Sequence, residues 1–493
     1  MTFNSINFIL FFPIVVLLYF LVPRRVKNIW LLICSYFFYM SWNPRYVVLI
    51  AFSTLITWLG GRMIGRLKNS AGSTGKQKLC LALCIVSNLL ILAFFKYYHF
   101  LTGNLTQLLG YLGIEIRIPA FDVLLPVGIS FYTFQALGYI IDVYRGTIQA
   151  EKNLLEYALF ISFFPQLVAG PIERSKNLIR QIHEPHYFDE ERVARGLLLM
   201  GWGFFKKLVI ADRAALLVTA VYNAYSSYSG LHIVLATVLF AVQIYCDFSG
   251  YSDIAIGAAQ VMGFTLMENF HSPYYARSVA EFWRRWHISL STWFRDYVYI
   301  PLGGNRGGKW QKYRNLMITF FVSGLWHGAS WNFVAWGVLN GFYQVVGELT
   351  KGLRDWLKRL LRINTECWSY HFFQGLITFA LIDFAWLFFR ANGLRAALGM
   401  LRHMIRAPGL FSLLGANAAA LALDRKDLFV LLVAIGILAV VDLLKDKIQL
   451  RTALLRQNLV FRYIVYYCII FVILIFGVYG PEFDASTFIY FQF

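Results

Sequence analysis

Apolar residues in this chain come in long runs rather than in strict alternation, and the runs recur along nearly its whole length. In order they lie at 6–22, 29–42, 46–60, 79–95, 123–141, 154–170, 196–211, 229–246, 253–268, 315–330, 331–348, 372–389, 428–442 and 463–480. A bilayer-spanning helix needs about 17–25 apolar residues, and most of these runs approach or reach that length. Several are short or carry Gly and Pro, as in Leu125-Pro-Val-Gly128 and Gln166-Leu-Val-Ala-Gly-Pro171. Those are predicted to be tilted, broken or re-entrant helices, because backbone groups freed by a break must be buried in protein where there is no water. The pattern predicts an all-α polytopic membrane protein with about 10–13 transmembrane helices plus re-entrant segments. It also predicts a single integral membrane domain over 1–493: the longest polar stretches, 172–195 and 390–427, are each under forty residues.

Composition agrees with the pattern. The chain is 59% hydrophobic, 18% aromatic and 14% charged, with mean hydropathy +0.58; a soluble domain carries about 25% charged residues. A net charge of +19 would point to nucleic acid in a soluble protein. Here the basic residues cluster between apolar runs, as cytoplasmic loops do, so the expected partner is the lipid bilayer and no nucleic acid. The six cysteines follow no metal or disulfide spacing. Cys80 and Cys84 share one helix face, where ordinary packing is expected.

Basic loops also set an orientation. Arg24, Arg25 and Lys27 follow the first run, and Arg62, Arg66, Lys68, Lys76 and Lys78 follow the third. Placing both groups in the cytoplasm puts the N-terminus outside. The stretches 306–314, 351–362 and 445–462 are likewise basic, and the end with Glu482 and Asp484 then falls outside. The stretch 390–427 carries six Lys/Arg yet falls outside on this count. Within it, Leu401-Arg-His-Met-Ile-Arg406 reads as an interfacial helix lying flat. The first run has no basic leader and no small-residue cleavage site, so it reads as a retained span.

Two tryptophan–histidine pairs stand out against this background: Glu281-Phe-Trp-Arg-Arg-Trp-His287 and Ser323-Gly-Leu-Trp-His-Gly328. The second places His327 among apolar residues at membrane depth, where an ionisable group usually marks a pathway or a site. An imidazole can take and return a proton near neutral pH. Gly328 and Ala329 beside it would let a substrate or another backbone come close. Ser330 is an unconvincing nucleophile because no G-x-S-x-G elbow exists in the chain. A histidine with no nucleophile beside it suits direct general-base activation of an acceptor hydroxyl.

Other features carry competing readings. Phe282, Trp283, Trp286, Trp293 and Phe294 recur at helical spacing, with Glu281, Arg284, Arg285 and Arg295 off the stripe; the bland alternative is an interfacial helix with an aromatic belt. Cys246-Asp-Phe-Ser-Gly-Tyr-Ser-Asp253 brings Asp247 and Asp253 between two apolar runs, either as a proton relay or substrate contact or as a helix break with satisfied caps. Gly303-Gly-Asn-Arg-Gly-Gly-Lys309 offers Arg306 and Lys309 to a phosphate, or is a plain basic loop. His183-Glu-Pro-His186 reads as a loop, since Pro185 spoils a zincin helix, and no metal site is predicted.

The series Pro126-Val-Gly-Ile-Ser-Phe-Tyr-Thr-Phe134, Gly170-Pro-Ile-Glu-Arg174, Cys246 to Asp253, Phe282 to Ser291, Tyr299-Ile-Pro-Leu-Gly-Gly304 and Leu325-Trp-His-Gly328 resembles the membrane-bound O-acyltransferases, and within them the bacterial alginate O-acetyltransferase branch. The resemblance implies catalytic roles for His327 and His287, with a ring of helices around a central funnel that leads an outer acceptor and a cytoplasmic donor to one buried histidine. Residues 1–350 hold the shared motifs, and 351–493 add further transmembrane helices. Substrate- or donor-binding candidates are Trp283, Arg284, Arg285, Trp286, Trp326, Ser330, Asp247, Asp253 and Arg306.

The expected activity is transfer of an acetyl group from a cytoplasmic thioester such as acetyl-CoA, with no bound cofactor, for O-acetylation of an exported cell-surface polysaccharide. An extracytoplasmic acetyltransferase partner would relay the group. The alternatives are a D-alanyl transferase of teichoic acid modification and a polysaccharide-precursor transporter or flippase. The expected location is the bacterial cytoplasmic membrane, multi-pass, with both termini outside. Cysteine-accessibility labelling checks that orientation: loops 62–78 and 443–462 should react only from the cytoplasmic side, and labelling of position 70 from outside intact cells would overturn it.

Overall fold

A computed structural model describes residues 1–68, 73–114, 119, 121, 125–409, 423–445 and 447–479. Among these there is no strand, in keeping with an all-helical membrane protein. The predicted outer end with Glu482 and Asp484 lies outside the described residues. Six helices among those described are long and apolar enough to cross a membrane: Pro44–Leu67, Thr74–Tyr111, Gly230–Met262, Trp368–Arg390, Arg425–Lys445 and Leu459–Phe476; Ile6–Leu21 is apolar but shorter. The described residues form two compact units, one of Met1–Leu197 with Ala255–Met267, the other of Leu198–Ile254 with the residues from Glu268 onward.

The first unit holds α1 (Ile6–Leu21), α2 (Arg24–Met40), α3 (Val47–Leu67), α4 (Thr74–Tyr111), α5 (Ile129–Arg145), α6 (Leu154–Ser162), α7 (Phe164–Leu167) and α8 (Ser175–His183). α4 extends well past the apolar run at 79–95, since no proline interrupts the sequence that follows. The expected break at 154–170 is present as the α6–α7 junction. Its freed Phe160 carbonyl is satisfied by two buried amides, accepting from Gln135 Nε2 at 2.6 Å and Gln166 Nε2 at 3.1 Å. Cys80 and Cys84 are buried against α3, where their thiols point to the Gly60 and Ile56 carbonyls.

α9 (Glu190–Phe204) runs without interruption into a π-helical stretch, Phe205–Ala211, and then α10 (Asp212–Asn223). α11 (Gly230–Met262) is one continuous helix of 33 residues, about 50 Å long at 1.5 Å per residue. The helix break expected at 246–253 is therefore absent. The polar residues there stay helical because partners from the π-helical stretch neutralise them.

The second unit continues with α12 (Val279–Arg285), α13 (Ile288–Phe294), α14 (Lys309–His327), α15 (Trp331–Leu349), α16 (Lys351–Leu360), α17 (Trp368–Arg390), α18 (Leu394–Arg406), α19 (Arg425–Lys445), α20 (Leu450–Leu455) and α21 (Leu459–Phe476). α14 and α15 come backbone to backbone. A methyl group at Gly324 would run into the Phe333 carbonyl, and one at Gly337 into the Phe320 carbonyl. That close approach carries the end of α14, and with it His327, into the interior. α18 covers the stretch read as an interfacial helix, but it buries Ala397 and Met400, and His403 Nε2 lies 2.7 Å from the Tyr228 carbonyl. One face is thus docked on protein.

Candidate active site

His327 is the last residue of α14, and Gly328 leaves the helix in an extended conformation. The imidazole is buried among aromatic rings set nearly at right angles to it: Trp326 and Trp336, each at 4.9 Å between centroids, and Phe389 at 5.3 Å. Edge-to-face packing of this kind holds a ring in a fixed orientation. The room beside Gly328, expected to admit a substrate or another backbone, is taken by the Phe333 ring.

His287 lies between α12 and α13, outside the six apolar spans. α12 is capped by Ser278, whose hydroxyl accepts from the Glu281 N–H. The chain leaves that helix at Trp286 and turns through His287 in a left-handed conformation, φ 41° and ψ 55°. A non-glycine residue there is strained by about 1–3 kcal/mol, so the surroundings must hold it. Its ring is 1% exposed and meets Phe248 of α11 at 4.5 Å in a T-shaped contact. Nδ1 is 3.1 Å from Asn269 Oδ1. Burial pushes the imidazole down to a pKa of about 3, which keeps it neutral across the physiological range. One indole spans the two histidines: the Trp326 ring is 4.9 Å from His327 and 6.1 Å from His287.

The aromatic segment is not a membrane-interface belt. Phe282, Trp283, Trp286, Trp293 and Phe294 are all buried in protein. Trp283 packs on Phe320 and Trp336, and its Nε1 donates to Asn340 Oδ1 at 3.3 Å. Trp286 sits against Phe270 and Trp386 at 5.0 and 5.1 Å. Arg284 is exposed, whereas Arg285 pairs with Glu281 at 2.9 Å. Ser330 precedes α15, where its carbonyl accepts from the Phe333 and Val334 N–H groups. Arg306 is exposed. The amides of Gly303, Gly304 and Arg306 are engaged by the Ile300, Tyr299 and Gly303 carbonyls, which leaves side chains rather than backbone to meet a phosphate there.

Asp247 and Asp253 belong to a charge cluster whose cations sequence reasoning missed. Lys207 Nζ lies between Asp247 Oδ1 at 2.6 Å and Asp212 Oδ1 at 2.8 Å, with all three side chains at most 5% exposed. Lys206 Nζ meets Asp253 Oδ2 at 2.8 Å and the Ser249 hydroxyl at 2.7 Å. Both lysines sit in the π-helical stretch. A Cβ at Gly250 would lie 2.8 Å from the Gly203 carbonyl, a close helix approach that only glycine permits and that brings the ammonium groups to α11. The available signal was the pair of adjacent lysines within Gly203-Phe-Phe-Lys-Lys-Leu-Val-Ile-Ala-Asp212, where lipid-facing cations would be costly. Asn269 was also missed. It lies in a loop, and only tertiary contact brings it to His287.

His183 is helical rather than in a loop, as the final residue of α8. Its Nε2 lies 3.1 Å from Glu151 and 3.0 Å from Glu156, tying α8 to the start of α6. Among the described residues, these are the only three His, Cys, Asp or Glu side chains whose ligand atoms all fall within 4.8 Å of one another. His186 is directed elsewhere, with Nε2 at 2.8 Å from the Gln181 carbonyl.

The sequence model of MBOAT, the membrane-bound O-acyltransferase family, matches residues 147–365. That stretch holds both histidines and both buried lysines. The probable alginate O-acetylase AlgI of Pseudomonas aeruginosa is 40% identical over 407 residues, which cover 82% of this chain and 75% of the relative. The peptidoglycan O-acetyltransferase of Helicobacter pylori is 34% identical over 444 residues, covering 83% of this chain and 80% of the relative. The teichoic acid D-alanyltransferase of Streptococcus thermophilus is 31% identical over 256 residues, covering 49% of this chain and 59% of the relative.

The lysine cluster generates a stability prediction. Lys207→Met leaves Asp212 and Asp247 facing one another in the interior, and removing one partner of a buried pair costs about 3–5 kcal/mol. The variant should accumulate poorly and lose its fold at lower temperature. Asp247→Asn, which leaves Asp212 on the ammonium, should cost less. A Lys207→Met protein as heat-stable as the parent would contradict the charge assignment.

Proposed function

This chain belongs to the membrane-bound O-acyltransferase family, and on that premise we propose that His327 is the general base in the transfer of an acetyl group from cytoplasmic acetyl-CoA to a hydroxyl presented at the outer side of the membrane. The chain is a multi-pass bacterial membrane enzyme, an O-acyltransferase serving O-acetylation of an exported polysaccharide. Its alginate and peptidoglycan relatives match about four-fifths of its length, while the teichoic acid relative matches about half. The single observation that carries the residue assignment is the pair of buried imidazoles joined through one indole, Trp326.

In this reading His327 takes the proton of the acceptor hydroxyl as its oxygen adds to the thioester carbonyl. The carbon–sulfur bond then breaks, and the imidazolium returns the proton to the departing thiolate. General-base help of this kind is worth about 10²–10⁴-fold. The remaining acceleration comes from holding the two substrates in line. The aromatic walls around His327 exclude water, which would otherwise hydrolyse the thioester. His287, neutral and buried, orients the reacting groups or relays the proton. Residues 1–493 act as one integral membrane domain in the cytoplasmic membrane, with both termini outside and a funnel leading donor and acceptor to His327.

A separate extracytoplasmic acetyltransferase completes the pathway. The longest polar stretches, 172–195 and 390–427, are too short to build a domain that grips a polysaccharide. A polymer modified repeatedly would also have to thread its backbone to a histidine at membrane depth. A partner carrying its own serine nucleophile at the outer mouth removes both difficulties. Liposomes loaded with acetyl-CoA and containing the purified chain test this: external polymer should stay unmodified until the partner is added, although thioester is consumed or bound. Polymer acetylation by the chain alone would refute the relay and favour direct transfer.

A further inference from the structure

We infer that Asn269 is a positioning residue that fixes His287 as its Nδ1–H tautomer and so makes Nε2 the proton-accepting nitrogen. The oxygen and nitrogen of an asparagine amide are alike in shape, so their assignment must come from the surrounding partners. Here the partners decide it. The backbone N–H of Ser289 can only donate, and it points at Asn269 Oδ1 at 3.3 Å. The atom in that position must therefore be the oxygen. At the other end of the amide, Nδ2 donates to the Ser252 hydroxyl at 3.0 Å.

With Oδ1 fixed as an acceptor, the proton on His287 follows. Nδ1 lies 3.1 Å from that oxygen, so it must carry the hydrogen; a lone pair there would face another lone pair. The Ser289 hydroxyl is 2.9 Å from Oδ1 but 3.4 Å from Nδ1, so its single proton belongs to the amide oxygen. Asn269 also accepts the Ile288 N–H on its backbone carbonyl at 2.9 Å. It thus grips the turn on both sides of His287, whose left-handed backbone at φ 41° needs such support.

The same network gives the polar segment of α11 a purpose. Ser252 orients the amide, and Phe248 stands against the imidazole ring. The segment therefore helps to aim His287. Orientation by a neighbour of this sort is what selects between two imidazole tautomers.

The inference rests on the reading that His287 takes part in transfer, but its primary test does not. Nitrogen-15 spectra of histidine-labelled full chain in lipid bilayers, with His287→Ala to assign the signals, should show Nδ1 protonated and Nε2 bare. A parent spectrum with the proton on Nε2 overturns the inference. Asn269→Leu should shift the ring toward the Nε2–H form and lower kcat about tenfold or more with KM little changed; an unchanged tautomer and rate would contradict the positioning role. Asn269→Asp keeps the size and the acceptor, and covers the case in which the leucine variant does not fold. It should retain Nδ1–H and raise the pH at which the ring takes its second proton; an unmoved titration overturns the contact. If the parent tautomer is as stated but His287→Ala transfers at the parent rate, the catalytic reading fails and the tautomer assignment stands.

Discussion

Lys207 is buried between Asp212 and Asp247, and the arrangement around His287 depends on that charge balance. An ammonium group removed from water is tolerable only if carboxylates take the place of its hydration shell, and leaving either sign uncompensated costs several kcal/mol. Two carboxylates from different helices meet the one lysine, at 2.8 and 2.6 Å, and Lys206 repeats the arrangement with Asp253 one turn and a half further along α11. The constraint is geometric as well as electrostatic. It holds α11 against the π-helical stretch in one register and keeps a polar segment helical where an apolar chain would expel it.

What hangs from that register is a histidine. α11 presents Phe248 to the His287 ring in a T-shaped contact and Ser252 to the amide that touches its Nδ1. From the other side, the glycine-mediated approach of α14 and α15 delivers His327 into a box of Trp326, Trp336 and Phe389. Trp326 touches both imidazoles, so neither ring can shift without disturbing the other. The C-terminal helices are tied into the same unit by polar contacts. Asp442 of α19 accepts from Tyr245, and Asp427 pairs with Arg213 at 2.9 Å.

Much of this was legible in the sequence, and the exceptions have physical causes. The apolar runs include all six described helices long enough to span, because lipid imposes a length on any helix that crosses it. The Gly/Pro-containing run at 154–170 was correctly expected to break, since the sequence there cannot continue a helix. At 246–253 the sequence allows a proton relay, a substrate contact or a helix break, because two aspartates and two serines in an apolar run look expensive. Whether they are expensive depends on lysines some forty positions earlier, and a single sequence does not reveal that pairing. The aromatic stripe of α12 and α13 was ambiguous for a related reason, since the same spacing suits a headgroup belt and a protein core. Asn269 left no local trace, because its role exists only through contacts with residues 17 to 20 positions away.

Whether His327 is the base for acyl transfer is decided with purified chain, a thioester carrying a labelled acetyl group and a hydroxyl acceptor. The parent should release thiol and label the acceptor. His327→Ala should insert and accumulate yet transfer nothing above background. Turnover near the parent level in that variant would show that His327 is not the base.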